Sequence, residues 1–304
     1  MKKDDPFFFF DDALALHKAG KLDEALAQYQ EAVKLKPDYI DAHINMGELF
    51  KQQGKFDAAV REYKQALVLK PDHAILHAVL GSVLQQQGNV NEAIAAYQHA
   101  VALRPDMAEV YANLGVIYAD QKKFDAAAEM QKKVISLKPA DAAACYNLAN
   151  VLKEQGKLHE AAAQYTQAIK LRPDFAPAYY NFGNLLKEQS RLNEAEALYI
   201  KAISLKPDFA LAHYNLGNLL KEQSRWDEAI AHYAKAITFK PDLAEAYNNL
   251  AKILKKRGLF NEAILLYEQL VALLPNDGEK LSELVYHMAD STSKCTTRGW
   301  RSAA

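Results

Sequence analysis

Apolar residues recur along this chain with helical rather than strand spacing, in two stretches per cycle, and each cycle is 34 residues long. Proline keeps the beat at Pro37, Pro71, Pro105, Pro139, Pro173, Pro207, Pro241 and Pro275, with no insertion or deletion. Counting each cycle to two residues past its proline gives eight repeats that start at Pro6, Ile40, Ala74, Ala108, Ala142, Ala176, Ala210 and Ala244. A period of this length means that each repeat is one supersecondary element that must stack on its neighbours to bury an apolar face.

Within a repeat the pattern predicts a first helix over about the second to fourteenth positions and a second over about the eighteenth to thirty-first. At 100° per residue the fourth, seventh, eighth and eleventh positions of the first helix share one apolar face, as in Tyr179, Phe182, Gly183 and Leu186. The twentieth position is alanine throughout, from Ala25 to Ala263, which fits a close helix crossing where only a methyl has room. The eighth is small (Gly47, Gly81, Gly115, Ala149, Gly183, Gly217, Ala251), and the twenty-fourth is tyrosine except at Gln131. Punctuation agrees with two helices. Gly20, Gly54, Gly88, Gly156 and Gly258 sit in the turn, and Asp or Asn at the eighteenth position, such as Asp23 and Asp57, is expected to cap the second helix. The Pro-Asp pair closing most repeats is expected to stop that helix and cap the next first helix.

These columns resemble the tetratricopeptide repeat, whose pattern places an aromatic, Leu-Gly, Tyr, Ala, Phe and Pro at set offsets within 34 residues. The resemblance covers residues 6–277, with His43, His77, Tyr111, Cys145, Tyr179, His213 and Tyr247 in the usual tryptophan slot. It implies an all-α, right-handed superhelix, an α-α solenoid of eight helix-turn-helix repeats whose first helices line the concave inside. Residues 1–5 read as an N-terminal tail. Residues 278–290 carry Leu281, Leu284, Val285 and Met288 at helical spacing, as a capping helix would, and 291–304 read as a disordered tail.

The face opposite the apolar one then becomes the groove, and its sixth position reads Asn45, Val79, Asn113, Asn147, Asn181, Asn215 and Asn249. Asparagine costs about 0.5 kcal/mol relative to alanine at each mid-helix site, so the column needs a reason. The ninth position adds Asn150, Asn184 and Asn218, and the flanks add Tyr146, Tyr180 and Tyr214 with Lys153, Lys187 and Lys221. A carboxamide can donate to one carbonyl and accept from one N–H of an extended main chain, so such a row can hold peptides with little regard to their side chains. Tyrosines would add rigid apolar area, and lysines could reach acidic groups. The other reading is that the asparagines bond to the next repeat and fix the superhelix.

An asparagine ladder on such a superhelix is similar to the non-catalytic arm of the O-linked N-acetylglucosamine transferases and SPINDLY-like proteins, as the run Ala212–Gln223 also suggests. That likeness implies recruitment of protein substrates, with a catalytic domain supplied elsewhere. Val79 interrupts the column and Asp11 takes its place in the first repeat. The basic set used by chaperone-binding tetratricopeptide domains is missing, because the second position reads Asp41, Ile75, Glu109, Ala143, Pro177, Leu211 and Glu245.

Composition narrows the partners. A net charge of -1 gives no long-range pull toward nucleic acid or anionic lipid. The N-terminal stretch is too short and too charged for a signal peptide or membrane span, and Cys145 and Cys295 form no disulfide framework, so a cytoplasmic setting is expected. No nucleophile or metal signature emerges: His73 and His77 have the spacing of a metal pair without a third ligand, and the Gly-Lys pairs lack the Ser/Thr of a phosphate loop. The expected protein is therefore a non-enzymatic scaffold for proteins or extended peptides, without cofactor or metal, its oligomeric state left open. Phe7 to Phe10 are expected to pack as an N-terminal cap, with an exposed docking patch as the alternative. The fourth repeat is the least regular, with Lys122, Gln131, Val134 and Ala140 departing from their columns.

Overall fold

A computed structural model of the chain describes residues 5–273, which form helices joined by short turns and contain no strand. The expected capping helix over 278–290, the tail over 291–304 and Pro275 lie outside the described residues. The helices in the first compact half, up to Gln155, are α1 (Pro6–Lys18), α2 (Leu22–Leu35), α3 (Ile40–Gln52), α4 (Phe56–Leu69), α5 (Ala74–Gln86), α6 (Val90–Leu103), α7 (Ala108–Asp120), α8 (Phe124–Leu137) and α9 (Ala142–Glu154). The second half, from Gly156, holds α10 (Leu158–Leu171), α11 (Ala176–Glu188), α12 (Leu192–Leu205), α13 (Ala210–Glu222), α14 (Trp226–Phe239), α15 (Ala244–Lys256) and α16 (Phe260–Leu273). Within each half the two helices of a repeat pack as a hairpin, and each second helix also packs on the next first helix.

The alanine column explains the hairpin. Ala25, Ala59, Ala93, Ala127, Ala161, Ala195, Ala229 and Ala263 are all fully buried, which lets the two backbones approach. Tyrosines of the twenty-fourth position fill the space beside the small eighth position: an added Cβ at Gly47 would lie 2.5 Å from the Tyr63 ring, and one at Gly217 would lie 2.9 Å from that of Tyr233. The buried stripe is wider than the periodicity predicts. Positions three and ten are buried as well, as in Ala42 with Leu49, Leu76 with Val83, and Ala212 with Leu219, because each first helix lies between its own partner and the preceding second helix.

Two capping expectations are corrected. The second helices begin at position seventeen, so Asp23, Asp57, Asp125 and Asp227 lie one residue inside them, while the N-caps Lys21, Lys55, Lys123 and Arg225 make no side-chain cap bond. Those aspartates instead accept from the following repeat: Gln53 reaches Asp23 at 3.3 Å, Gln87 reaches Asp57 at 2.7 Å, Gln155 reaches Asp125 at 2.7 Å, and Arg257 pairs with Asp227. Nor does the Pro-Asp aspartate cap the next helix, since the N-cap is the residue after it, Tyr39, Met107, Phe175, Phe209 or Leu243, with no side-chain bond. Where Ala140 replaces that aspartate, Asp141 stands at the N-cap itself and accepts from the Ala144 N–H at 3.0 Å.

The proline beat has a structural partner. His43, His77, Tyr179 and His213, all at the fourth position, contact the carbonyls of Pro37, Pro71, Pro173 and Pro207 at 2.8–3.2 Å, giving each of these oxygens a side-chain donor. The turn glycines Gly20, Gly54, Gly88, Gly156 and Gly258 have φ of 72–80°, and the same left-handed conformation is imposed on Lys122, Ser190 and Ser224. At the N-terminus the phenylalanine run divides. Phe9 and Phe10 pack on Ala32, Tyr39 and Ala42, while Phe7 and Phe8 stay half-exposed, with Lys36 5.1 Å from the Phe7 ring centre.

Candidate functional site

The sequence-predicted site residues lie on the first helices, turned away from the buried stripe, and successive first helices join side chain to side chain. In the second half, the Asn215 Nδ2 of α13 donates to Asn184 Oδ1 at 2.8 Å and to the Tyr180 hydroxyl at 3.0 Å, both on α11. The motif recurs one repeat on. Asn249 Nδ2 on α15 donates to Asn218 Oδ1 at 2.9 Å and to the Tyr214 hydroxyl at 3.4 Å.

A tyrosine of the twenty-fourth position completes each cluster from beneath. Tyr199 donates to Asn184 Oδ1 at 2.8 Å and Tyr233 donates to Asn218 Oδ1 at 2.7 Å. These buried hydroxyls are pushed well above the ordinary phenol range, chiefly by burial, and stay donors at any ordinary pH. The arrangement divides the capacity of the two amides. Both N–H bonds of Asn215 point at protein acceptors, leaving its carbonyl oxygen to accept, whereas the Asn184 oxygen takes two donors and leaves its NH2 to donate.

Other predicted residues fare differently. Asn45 donates to the Asp41 carbonyl of its own helix at 2.8 Å, and Asn113 donates to the Tyr97 hydroxyl at 3.3 Å. Asn147, Asn150, Tyr146 and Lys153 are half-buried on α9 in the first half, and Asn181 is half-buried on α11 in the second. Lys187 pairs with Glu222 at 3.0 Å, and Lys221 reaches Asn249 Oδ1 at 3.4 Å, its ammonium pKa lowered mainly by burial. Neither lysine is an isolated charge. The pairing of the sixth position with the preceding fifth and ninth was not visible in the sequence, because its partners lie 31 and 35 residues away.

His73 and His77 are structural. The His73 ring accepts from the Leu76 N–H at the start of α5, and His77 stacks on His99 with ring centres 5.3 Å apart. Among the described residues no cluster of three or more metal-binding side chains occurs, and no helix is long and apolar enough to cross a membrane.

The first half offers a different groove. Where the second half carries Tyr180, Asn181 and Asn184, α5 carries Ala78, Val79 and Ser82, beside a cavity of about 520 Å³ that also touches Tyr97, Met107 and Asn113.

Residues 12–213 match the family model described as the Cilia and flagella-associated protein 70 C-terminal domain. Tetratricopeptide repeat models match residues 198–231, 217–258 and 244–277. No curated protein sequence matches the chain. Among solved structures it is similar to crystalline MamA, at 28% identity and a TM-score of 0.51, over 54% of this chain and 96% of that one. It is also similar in fold to YrrB, described as a TPR protein with an unusual peptide-binding site, at 23% identity and a TM-score of 0.51 over 61% of this chain and 96% of that one. The Pseudomonas aeruginosa pilF structure aligns at 22% identity and a TM-score of 0.58, over 70% of this chain and 97% of that one.

Proposed function

Because the chain belongs to the tetratricopeptide-repeat family described as the Cilia and flagella-associated protein 70 C-terminal domain, we propose that it is a non-catalytic scaffold holding extended polypeptide segments against its first-helix face. The observation that carries this reading is the division of labour in the Asn184–Asn215 and Asn218–Asn249 pairs. Each pair is fixed by protein bonds and keeps an NH2 donor on one amide; the Asn215 carbonyl stays an acceptor, and that of Asn249, which Lys221 reaches at 3.4 Å, keeps its second lone pair. A peptide main chain presents the matching acceptor and donor. Preorganisation favours binding, since the side chains are already immobilised before a ligand arrives. Asn45, Asn113, Asn147, Asn150 and Asn181 extend the same columns, Tyr146, Tyr180 and Tyr214 supply apolar walls, and Lys153, Lys187 and Lys221 border them.

Cross-repeat bonding and ligand binding are compatible roles for these amides, and one experiment separates them. The full chain carrying Asn147→Ala, Asn181→Ala and Asn215→Ala is compared with the parent by circular dichroism melting and by binding to an array of unstructured peptides. Lost peptide binding with the helical signal intact at the assay temperature supports the scaffold reading. Unchanged binding ends it.

The same asparagine columns favour one second reading, the substrate-recruiting arm of an O-linked N-acetylglucosamine-transferase-like enzyme whose catalytic domain lies outside this chain. An adjoining reading frame that encodes such a domain would support it. An unrelated neighbour on both sides would remove its basis.

A further inference from the structure

The second half carries a template for what the first half can bind. There, the Tyr180 side chain lies on the groove face of α11, its ring centre 4.9 Å from Phe209 and 6.1 Å from Tyr199, and its hydroxyl accepts from Asn215 at 3.0 Å. Tyr214 repeats the placement 6.0 Å from Tyr233, with its hydroxyl on Asn249. Each partner has a counterpart 102 residues earlier: Tyr97 for Tyr199, Met107 for Phe209, Asn113 for Asn215 and Ser82 for Asn184. The tyrosine itself does not recur. Its place is taken by Ala78, and all five of these residues line the 520 Å³ cavity.

We propose that this cavity is a slot for the tyrosine side chain of a bound polypeptide, which would occupy the place that Tyr180 and Tyr214 fill within the second half. The walls suit a ring. Ala78 and Val79 form an apolar side, and Met107 offers a polarisable thioether where Phe209 stands in the template. The far end suits a hydroxyl. Asn113 has one N–H on the Tyr97 oxygen at 3.3 Å, and Tyr97 donates onward to Gln85 at 3.0 Å, so the second N–H and the carbonyl of Asn113 remain for a phenol. The rim carries Arg104 and Lys138 against Asp106 and Glu109, with Arg104 already 3.4 Å from Asp106, so charge balance favours a neutral group. The volume lies in the range of ordinary ligand sites, about 300–1,000 Å³.

That the ring arrives on a polypeptide rests on the scaffold reading above, whereas the slot can be tested without it. The full chain with 13C-labelled Met and Val methyls is titrated with p-cresol, with toluene, and with N-acetyl-tyrosine-N-methylamide beside its alanine analogue. Expected are saturable shifts of the Met107 and Val79 methyls, p-cresol binding about three- to tenfold tighter than toluene through one neutral hydrogen bond, and no shift from the alanine compound. Asn113→Ala should bring p-cresol down to the toluene level. Ala78→Tyr should place a ring in the slot and abolish p-cresol binding; if it fails to fold, the Asn113 variant and the methyl mapping decide alone. The triple asparagine variant should bind p-cresol as the parent does, so a failed main-chain clamp would not imitate a failed slot. Absent methyl shifts, equal affinity for toluene and p-cresol, or p-cresol binding lost in the triple variant would each overturn the proposal.

Discussion

Replacing Gln131 by phenylalanine should strengthen the fourth repeat, and the structure says by how much. Gln131 stands where every other repeat has tyrosine, is 1% exposed, and neither its Oε1 nor its Nε2 has a hydrogen-bond partner. A Cβ on Gly115 would come within 2.4 Å of that Nε2, so the amide lies where the ring edge of Tyr63, Tyr97, Tyr199 or Tyr233 lies in its own repeat. An unpaired buried polar group costs about 1–3 kcal/mol, and exchanging the amide for ring carbons adds roughly 1 kcal/mol of apolar burial. Against this stands the strain of imperfect fit, roughly 1 kcal/mol where neighbours must shift. The expected net gain for Gln131→Phe is about 1–3 kcal/mol. Tyrosine should gain less, because its hydroxyl donates to Glu48, Asn184 or Asn218 at the ninth position of other repeats, where Val116 stands here and offers no acceptor. Adding Val116→Asn to Gln131→Tyr should recover about 1 kcal/mol by supplying the acceptor. The readout is native-state hydrogen exchange of α7 and α8, because stability in a stacked array is local. Unchanged or weaker protection in Gln131→Phe would refute the claim that the unpaired amide weakens this repeat.

Four further outcomes are expected. Lys122→Gly, Ser190→Gly and Ser224→Gly should each stabilise by about 0.5–1 kcal/mol, because φ of 58–60° strains an L-residue more than glycine loses in unfolded-state freedom; loss of stability in urea unfolding would contradict this. Amide exchange should be fastest in the fourth repeat among the third to sixth, and uniform protection would count against the weakness argued for it. His213 and His232 meet through their Nδ1 atoms at 2.9 Å, and burial lowers both, His232 to about 4, with Lys235 nearby adding to the shift and Glu228 opposing it at His232. As pH falls from about 6.5 to 4 the unfolded chain takes up protons that the folded pair refuses, so stability is full above that window and declines through it, by about 1–2 kcal/mol after screening. The double change His213→Tyr with His232→Leu, which copies Tyr179 and Leu198, should flatten the pH dependence of melting; a persisting slope would assign it to other groups. A double-mutant cycle on Asn184 and Asn215 should return a coupling of about 0.5–1.5 kcal/mol, and additivity within about 0.3 kcal/mol would mean that the bond contributes nothing in solution.

The fold was legible because packing acts at short range and repeats in register. The alanine column, the tyrosines and the small eighth position each reappear as buried contacts within one hairpin. The cap was placed two residues too late: α2 begins at Leu22 with Lys21 as its N-cap, which turns Asp23 from a presumed cap into an acceptor for Gln53 of the next repeat. The burial of Leu49 and Val83 was equally hidden, since it depends on a helix from the preceding repeat. At the candidate site the asparagine column stood out in one dimension, but a column cannot show which amide atoms its neighbours consume. The slot beside Ala78 was less visible still. Only the neighbouring Val79 stood out in the sequence, as a break in the asparagine column, and nothing marked Ala78 until Tyr180 showed what the same place can hold.

The ties from Gln53, Gln87, Gln155 and Arg257 to aspartates all reach back by the same 30 residues. An interaction defined by a constant offset is indifferent to where in the array it is made. A genetic exchange that duplicates or excises one full 34-residue period keeps the donor and acceptor positions in register across the joint, while a single codon inserted between a donor and its acceptor would break the tie that spans it. Length can therefore change by recombination in whole periods without redesign of the joint, and what such events would alter is which groove chemistries, asparagine pair or ring slot, stand next to each other.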